Sequence, residues 1–383
     1  MRFPAPARWP ILSAIIITPA VLIVVGALVY GGRVLESLND NLFDWRTAVL
    51  GDRMDGPHPD IAVVLIGEQS VALNACRSPM DRAMLAKLVR RLNELGAKVI
   101  GLDFFFDQTT LPHEDKALER TFAAVKDHTP IVLASYDSRL MATPIQHERQ
   151  KKMLTSYGLP AGYVNIVRDY DGGVRRVLGP DDGEGEPSFP LSFPQQLARA
   201  AGVDSARTPE RIAWLIPPAE GDTFTRIPAS ALLGNDVSND ILRRQIEGRI
   251  VLIGGSLIDQ RDQHLTPLST IRADGFDLMP GVFINAHIVA QLLDGRDYHP
   301  LGNEVGMVIT VFAAFFGVLY GWYFRDWRGP VNLPPLIVFF IADIIAFSAF
   351  RVIIPFIIPA VAWVLAAWLG EWVVTKEVGD EDV

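Results

Sequence analysis

Residues Ile11 to Tyr30 form a run of twenty residues without a charge, preceded by Arg2 and Arg8. At about 1.5 Å of rise per residue, a helix of that length spans the roughly 30 Å hydrocarbon core of a bilayer. Lipid offers no partner to an unpaired backbone group, so such a run must be helical there. The apolar region of a cleavable signal peptide is shorter, about 7–15 residues, and leads to a small-x-small site. This run ends in Leu28-Val29-Tyr30-Gly31-Gly32 with no Ala-x-Ala, which points to an uncleaved anchor.

Three further apolar stretches lie near the other end. Val305–Phe324 is uncharged and carries Trp322 and Tyr323 at its close, where amphipathic rings settle at an interface. Leu333–Phe350 follows the polar turn Arg325-Asp326-Trp327-Arg328, and Val352–Val374 comes third with Trp363, Trp368 and Trp372. Arg351 alone separates the last two, so Pro355 and Pro359 are expected in a non-helical or kinked turn. The expectation is four transmembrane helices, one N-terminal and three C-terminal. With the N-terminus inside, Arg2, Arg8, Arg325, Arg328 and Lys376 face the cytoplasm and only Arg351 faces out, in agreement with the positive-inside tendency. The protein is then a multi-pass protein of the cytoplasmic (inner) membrane, with its large middle domain outside. Asp343 falls within a span, where a charge is costly. It reads either as functional or as a bundle-facing acid bonded to a neighbouring helix.

The hydrophobic fraction of 49% is concentrated at these two ends, while the formal charge of −9 belongs to the middle, as in the acidic run 181–186. Nucleic-acid binding needs clustered Lys and Arg to displace counterions, and no such stripe occurs. The single cysteine, Cys76, excludes an intrachain disulfide and a zinc site built on paired cysteines. No Asn-x-Ser/Thr acceptor occurs, which is compatible with a bacterial source.

Between the ends, strand and helix patterns alternate. Ile61–Ile66 is a continuous apolar run of the kind buried on both faces of a sheet. Asp81 is placed to cap a helix over Arg82–Leu95, whose Leu85, Leu88, Val89 and Leu92 recur at helical spacing and which Gly96 ends. Lys98–Asp103, Pro130–Ser135 and Arg249–Gly254 read as strands, Glu114–Lys126, Leu191–Ala201 and Val282–Leu293 as helices. Tyr163–Val167 and Val174–Leu178 read as a strand pair, with Ile212–Ile216 a further strand. This order argues for an α/β fold, a mostly parallel sheet with flanking helices.

Phosphate-loop, dinucleotide, zinc-protease and nucleophile-elbow patterns are missing. Two local clusters stand at strand ends. One runs from Gly101 through Asp103 to Asp107. The other is Gly254-Gly255-Ser256, followed by Asp259, Asp262, His264, Thr266 and Pro267. Ligands of open α/β sheets bind beyond the carboxyl ends of strands, so both could line one cleft. Asp103, Asp262 and His264 would suit a hard cation or a polar ligand. Equally, an acid after a strand can cap the next turn, and Gly-Gly-Ser can simply let the chain turn. His287 reads as a packed, hydrogen-bonding histidine or as a member of the site. In Asp171-Gly172-Gly173-Val174-Arg175-Arg176 the arginines are placed on an exposed strand edge or as an anion clamp.

The order of these segments resembles the CHASE2 domain. It is carried by Asp44-x-Arg46 after the anchor, IAVVLIGE, GAKVIGLDFFFD, a Tyr-Val-Asn and an Asp-Gly-x-x-Arg segment, GRIVLIGGSLIDQRDQHLTPLS and MPGVFINAHIVAQLLDG. Each is weak alone; the order and spacing are specific. The resemblance covers roughly Val34 to Leu301. It departs from the family at Gly67-Glu68, where an Asp-Glu pair is common, at Arg77–Arg82, where a Trp-Pro-Trp segment is frequent, and at Ala286-His287, in reversed order.

The resemblance implies an extracytoplasmic sensor domain of a bacterial membrane receptor. The implied division is 1–31 anchor, 32–302 sensor domain, 303–375 three transmembrane helices and 376–383 a short cytoplasmic tail. Such receptors usually continue into a kinase, cyclase or cyclic-dinucleotide enzyme, whereas nine residues follow the last span here. The expectation is therefore a stand-alone sensor, not an enzyme, acting on a separate signalling partner and forming a homodimer. Its ligand would meet Asp103, Asp107, Gly254, Gly255, Ser256, Asp262, His264 and His287, with no catalytic residue, metal or cofactor. The rivals are an extracytoplasmic enzyme built on Asp103, Asp262 and His264, and a structural subunit of an envelope complex. Four spans with one intramembrane acid give little material for a transporter.

Overall fold

Ile61–Ile66 (β1) contains only apolar residues and lies inside a sheet of six strands, covered on both faces. The others are Val99–Leu102 (β2), Ile131–Ser135 (β3), Ala161–Tyr163 (β4), Thr225–Pro228 (β5) and Ile250–Gly255 (β6). Their order is β4-β3-β2-β6-β1-β5, and every neighbouring pair is parallel. The structure is a computed structural model that describes residues 10–32, 34–68, 80–137, 143–164, 166–179, 189–204, 208–234, 236–256, 262–270, 278–324 and 333–381. Cys76, Asp259, Arg2, Arg8, the acidic run 181–186 and the turn 325–328 lie outside those residues.

The chain forms two compact units, 51–297 and the two ends together, 1–50 with 298–383. In the first, the period-2 alternation of strand side chains decides which helices cover which face. Ala62, Val64 and Ile66 face the helices Arg82–Glu94, Pro112–Val125 and Asn239–Ile246. Ile61 and Val63 face Phe193–Ala200 and Gly281–Asp294, with Trp214 wholly buried among them. The Asp81 carboxylate accepts the Met84 N–H at 2.9 Å, capping its helix as the spacing requires.

Several expected boundaries shift. Tyr163 belongs to β4 of the parallel sheet, and the antiparallel hairpin is Ile166–Arg168 with Val174–Val177. Of Ile212–Ile216, only Leu215 and Ile216 pair, with Asp52 and Arg53. Of the two arginines, Arg176 is exposed on its strand, as the edge reading expects, and Arg175 is not. Arg175 is buried and forks onto Asp169 at 3.1 Å and Asp171 at 2.7 Å, and Arg176 also bonds Asp169. These carboxylates neutralise the arginines within the hairpin, which removes the anion clamp.

The second unit gathers the apolar helices. Three helices among the described residues are long and apolar enough to cross a membrane, Pro10–Gly31, Asn303–Tyr323 and Leu333–Phe350, rather than the four expected. The stretch Val352–Val374 does not start as helix. Arg351 takes a left-handed backbone with φ 54°, and Val352–Ile353 then pairs as a short strand with His299–Pro300. The helix begins at Ile357, so its apolar part, Ile357–Val373, is shorter than a full span. This pairing also explains how one residue can divide two apolar segments.

Glycines set the spacing of these helices. A Cβ at Gly317 would stand 2.8 Å from the Trp363 carbonyl, so Asn303–Tyr323 and Ile357–Glu381 approach backbone to backbone. Ile16, Ile23 and Val338 point outward, as expected of surfaces solvated by lipid. An amphipathic helix not apparent in the sequence patterning, Val34–Leu50, belongs to this unit and buries Phe43, Asp44, Arg46 and Thr47.

Candidate functional site

At the carboxyl ends of β2 and β6 the chain departs to opposite faces of the sheet. After β2 it enters Pro112–Val125 on one face, and after β6 it reaches Gly281–Asp294 on the other. Loops that diverge in this way leave a crevice, the place where open parallel sheets bind ligands.

Asp103 follows β2 directly, and its backbone N–H still donates to the Ile253 carbonyl of β6 at 2.9 Å. Its side chain accepts from the Asn285 amide nitrogen at 3.0 Å. Burial pushes the Asp103 carboxyl up to about 7, the negative charge of Asp262 adds to that, and the Asn285 hydrogen bond works against it. A carboxylate held in this way can gain or lose a proton near neutral pH, whereas an ordinary one cannot.

Asp262 sits at the start of the helix Gly281–Asp294. A Cβ on Gly281 would lie 2.5 Å from its carboxylate, so only glycine lets the acid reach the helix N-terminus. Partial positive charge collects there and favours an anion. His264 follows in a two-residue ladder with Met279 and Pro280. Its Nδ1 accepts from Arg168 Nε at 3.2 Å, which puts its proton on Nε2, 3.0 Å from Asp262. Arg168 reaches it because the hairpin is tied to the same segment through Val174 N–H and the Leu265 carbonyl.

The structure therefore brings Asp103, Asp262 and His264 to one end of the sheet, and adds Asn285 and Arg168. Asn285 had one signal in the sequence, a polar residue in the first turns of an otherwise apolar helix. Arg168 had none, because its partner lies 96 positions away. Both ring nitrogens of His264 are engaged, so it offers no lone pair to a metal. Among the described residues no group of three His, Cys, Asp or Glu is arranged to hold a metal ion.

The remaining candidates are not part of this hydrogen-bonded group, although Gly254, Gly255 and Ser256 lie at the same end of β6. Asp107 lies beside Arg82 and Tyr136, where burial first and the Asp107 charge second push the Tyr136 hydroxyl up. Gly254 is a packing position, since a Cβ there would land inside the Val282 side chain. Gly255 continues the ladder with Ile66, and Ser256 donates its backbone N–H to the Ile66 carbonyl at 3.1 Å. His287 is in the core against Trp214 and Phe224, and its Nδ1 accepts the Leu215 N–H at 3.3 Å. Burial holds its pKa well below the usual histidine range.

Asn285 lines a small cavity of about 20 Å³ together with Tyr163, Arg176 and Ser192. That is room for one water and too little for a metabolite. Chemically, the site offers hydrogen-bond acceptors and one proton that moves near neutral pH. Neither the curated proteins nor the solved structures contain a match to the chain. The family model of the CHASE2 domain matches residues 20–320, well over half of the sequence. The protein therefore belongs to the CHASE2 domain family, a family of extracytoplasmic sensor domains.

Proposed function

We propose that the chain is a membrane-anchored sensor whose ligand docks against Asp103 and Asp262 and whose occupancy is passed through the apolar helices to a separate partner protein. One observation carries this reading: two acids from different loops, one of them bonded to Asn285, interact beyond the strand ends where those loops diverge, where open parallel sheets bind ligands. A ligand that prefers one arrangement of these loops biases the chain toward it, which is all that sensing requires. Catalysis is not part of this reading, because His264 is committed on both ring nitrogens.

In the same reading the protein lies in the inner membrane of a bacterium, with residues 51–297 outside. It works as a homodimer. Protease added to spheroplasts should cut the middle of the chain, and the same protease should spare it in inverted vesicles.

The ligand claim is tested by thermal shift of the full chain in detergent against a broad library of small polar metabolites. Specific ligands raise the unfolding midpoint by mass action. Compounds that do so should lose their effect in both Asp103→Asn and Asp262→Asn. Shifts that persist unchanged in both variants would remove the crevice from consideration.

A further inference from the structure

The chain passes from one unit to the other twice, after Leu50 and after Asp297. In the unit made of the two ends, both connections are held by the same helix. Arg46, four residues before the first connection, donates from Nη1 to the Asp343 Oδ1 at 2.6 Å, and both side chains are shielded from solvent. Tyr298, the first residue after the second connection, stacks on Phe347 with ring centroids 4.9 Å apart. Phe347 lies one turn beyond Asp343 on Leu333–Phe350, and Phe43 of the Arg46 helix packs edge-on against both Phe347 and Tyr298. The next residues along, His299 and Pro300, pair with Val352 and Ile353, immediately past the end of that helix.

The chemistry of the central contact is unusual for its place. Leu333–Phe350 is one of the helices apolar enough to span a membrane, and Asp343 is its only charge. Packed apolar residues would join two such helices as well as an ion pair does, or better. Opening an ion pair shielded from water differs in leaving an uncompensated buried charge, a cost that separating two apolar side chains does not carry. Among the described residues Asp343 Oδ2 has no hydrogen-bond partner, so on the Asp343 side the pair rests on one oxygen.

We infer that Arg46–Asp343 is a latch, and that Leu333–Phe350 is the membrane helix on which displacement of either chain connection acts. The inference deepens the sensor reading and rests on it only for what is transmitted. In the unit 51–297 the same two connections are pinned locally. Met54 N–H bonds the Ile216 carbonyl at 2.9 Å, and Arg296 bonds the Ala213 carbonyl at 2.6 Å beside Ala213 N–H, which bonds Gln291. The amides of Met54 and Ala213 therefore report on the far side of the connections.

The test is hydrogen exchange by mass spectrometry on the full chain in lipid nanodiscs. Asp343→Asn keeps the shape and breaks the ion pair; Tyr298→Leu removes the ring stack and serves if the first variant does not assemble. Each should accelerate exchange at Met54 and Ala213 by about tenfold, with β1 unchanged. The charge exchange R46D/D343R should bring those rates back to within about twofold of the natural protein. Acceleration confined to Val34–Leu50 and Leu333–Phe350, with Met54 and Ala213 unmoved, would make the pair a brace and overturn the latch. A charge-exchanged protein that stays fast would do the same. Thermal shifts by ligands read the crevice separately, so their failure would remove the sensor reading and leave the latch standing.

Discussion

Asn285 donates its side-chain amide to Asp103 across 3.0 Å, joining a helix on one face of the sheet to the end of a strand 182 positions earlier. The bond holds the carboxyl of Asp103 in place while burial and the Asp262 charge raise its affinity for a proton. Several expected behaviours follow from this and from the other buried polar groups.

Asp103 makes the fold favour acid. Its folded-state pKa is raised to about 7, above the ordinary carboxylate value near 4, so the folded chain binds its proton more tightly than the unfolded chain. The contribution is fully present below about pH 4 and is lost as pH rises through about 7. Each pKa unit is worth about 1.4 kcal/mol, so the difference in stability between the natural protein and Asp103→Asn should change by a few kcal/mol over that window. Chemical denaturation of both proteins from pH 4 to 8 reads it; parallel curves would contradict it.

His287 works in the opposite direction. Its folded pKa is depressed by burial, so the folded chain resists protonation that the unfolded chain accepts below about pH 6.5. Stability from this residue is present above that pH and falls as acid is added. His287→Asn should flatten the acid limb of the same denaturation series. Arg296 and His58 add to the shift, so replacing Arg296 with Gln should weaken the acid sensitivity without abolishing it.

Gly254→Ala should destabilise the unit 51–297 by about 1–3 kcal/mol, the usual cost of overpacking a filled core. The added methyl would occupy space held by Val282, at the point where Gly281–Asp294 packs on β6. Urea unfolding with an unchanged slope and a lower midpoint is the expected result.

The intramembrane pair should show the asymmetry of buried charges. Asp343→Ala removes the buried carboxylate that faces Arg46 and should cost about 3–5 kcal/mol, while the double change R46M/D343L should regain most of that. Detergent-induced unfolding in mixed micelles measures both. A double variant no more stable than the single one would mean the two residues are not energetically coupled.

The strands and the Asp81-capped helix were legible because their signals are local. An apolar β-branched run, a cap at the right offset and a helical repeat each depend on a few neighbouring residues. Pro144–Tyr157 carried such a signal too, the Thr143 and Gln146 capping box, though its weak apolar stripe hid it. Val34–Leu50 was hidden for a different reason. Its buried face includes Asp44, Arg46 and Thr47, so a pattern built on apolar residues does not register it.

The sequence by itself determined that the ends of this protein are apolar helices and that its middle is a parallel α/β sheet, because solvent preference and backbone geometry act residue by residue. It also placed Asp103, Asp262 and His264 near strand ends. Only the tertiary structure decided that β6 enters between β2 and β1, that Asn285 and Arg168 complete the group, and that Asp343 meets Arg46 across 297 positions. Those pairings follow from which faces pack together, a property of the assembled core that no short stretch of chain contains.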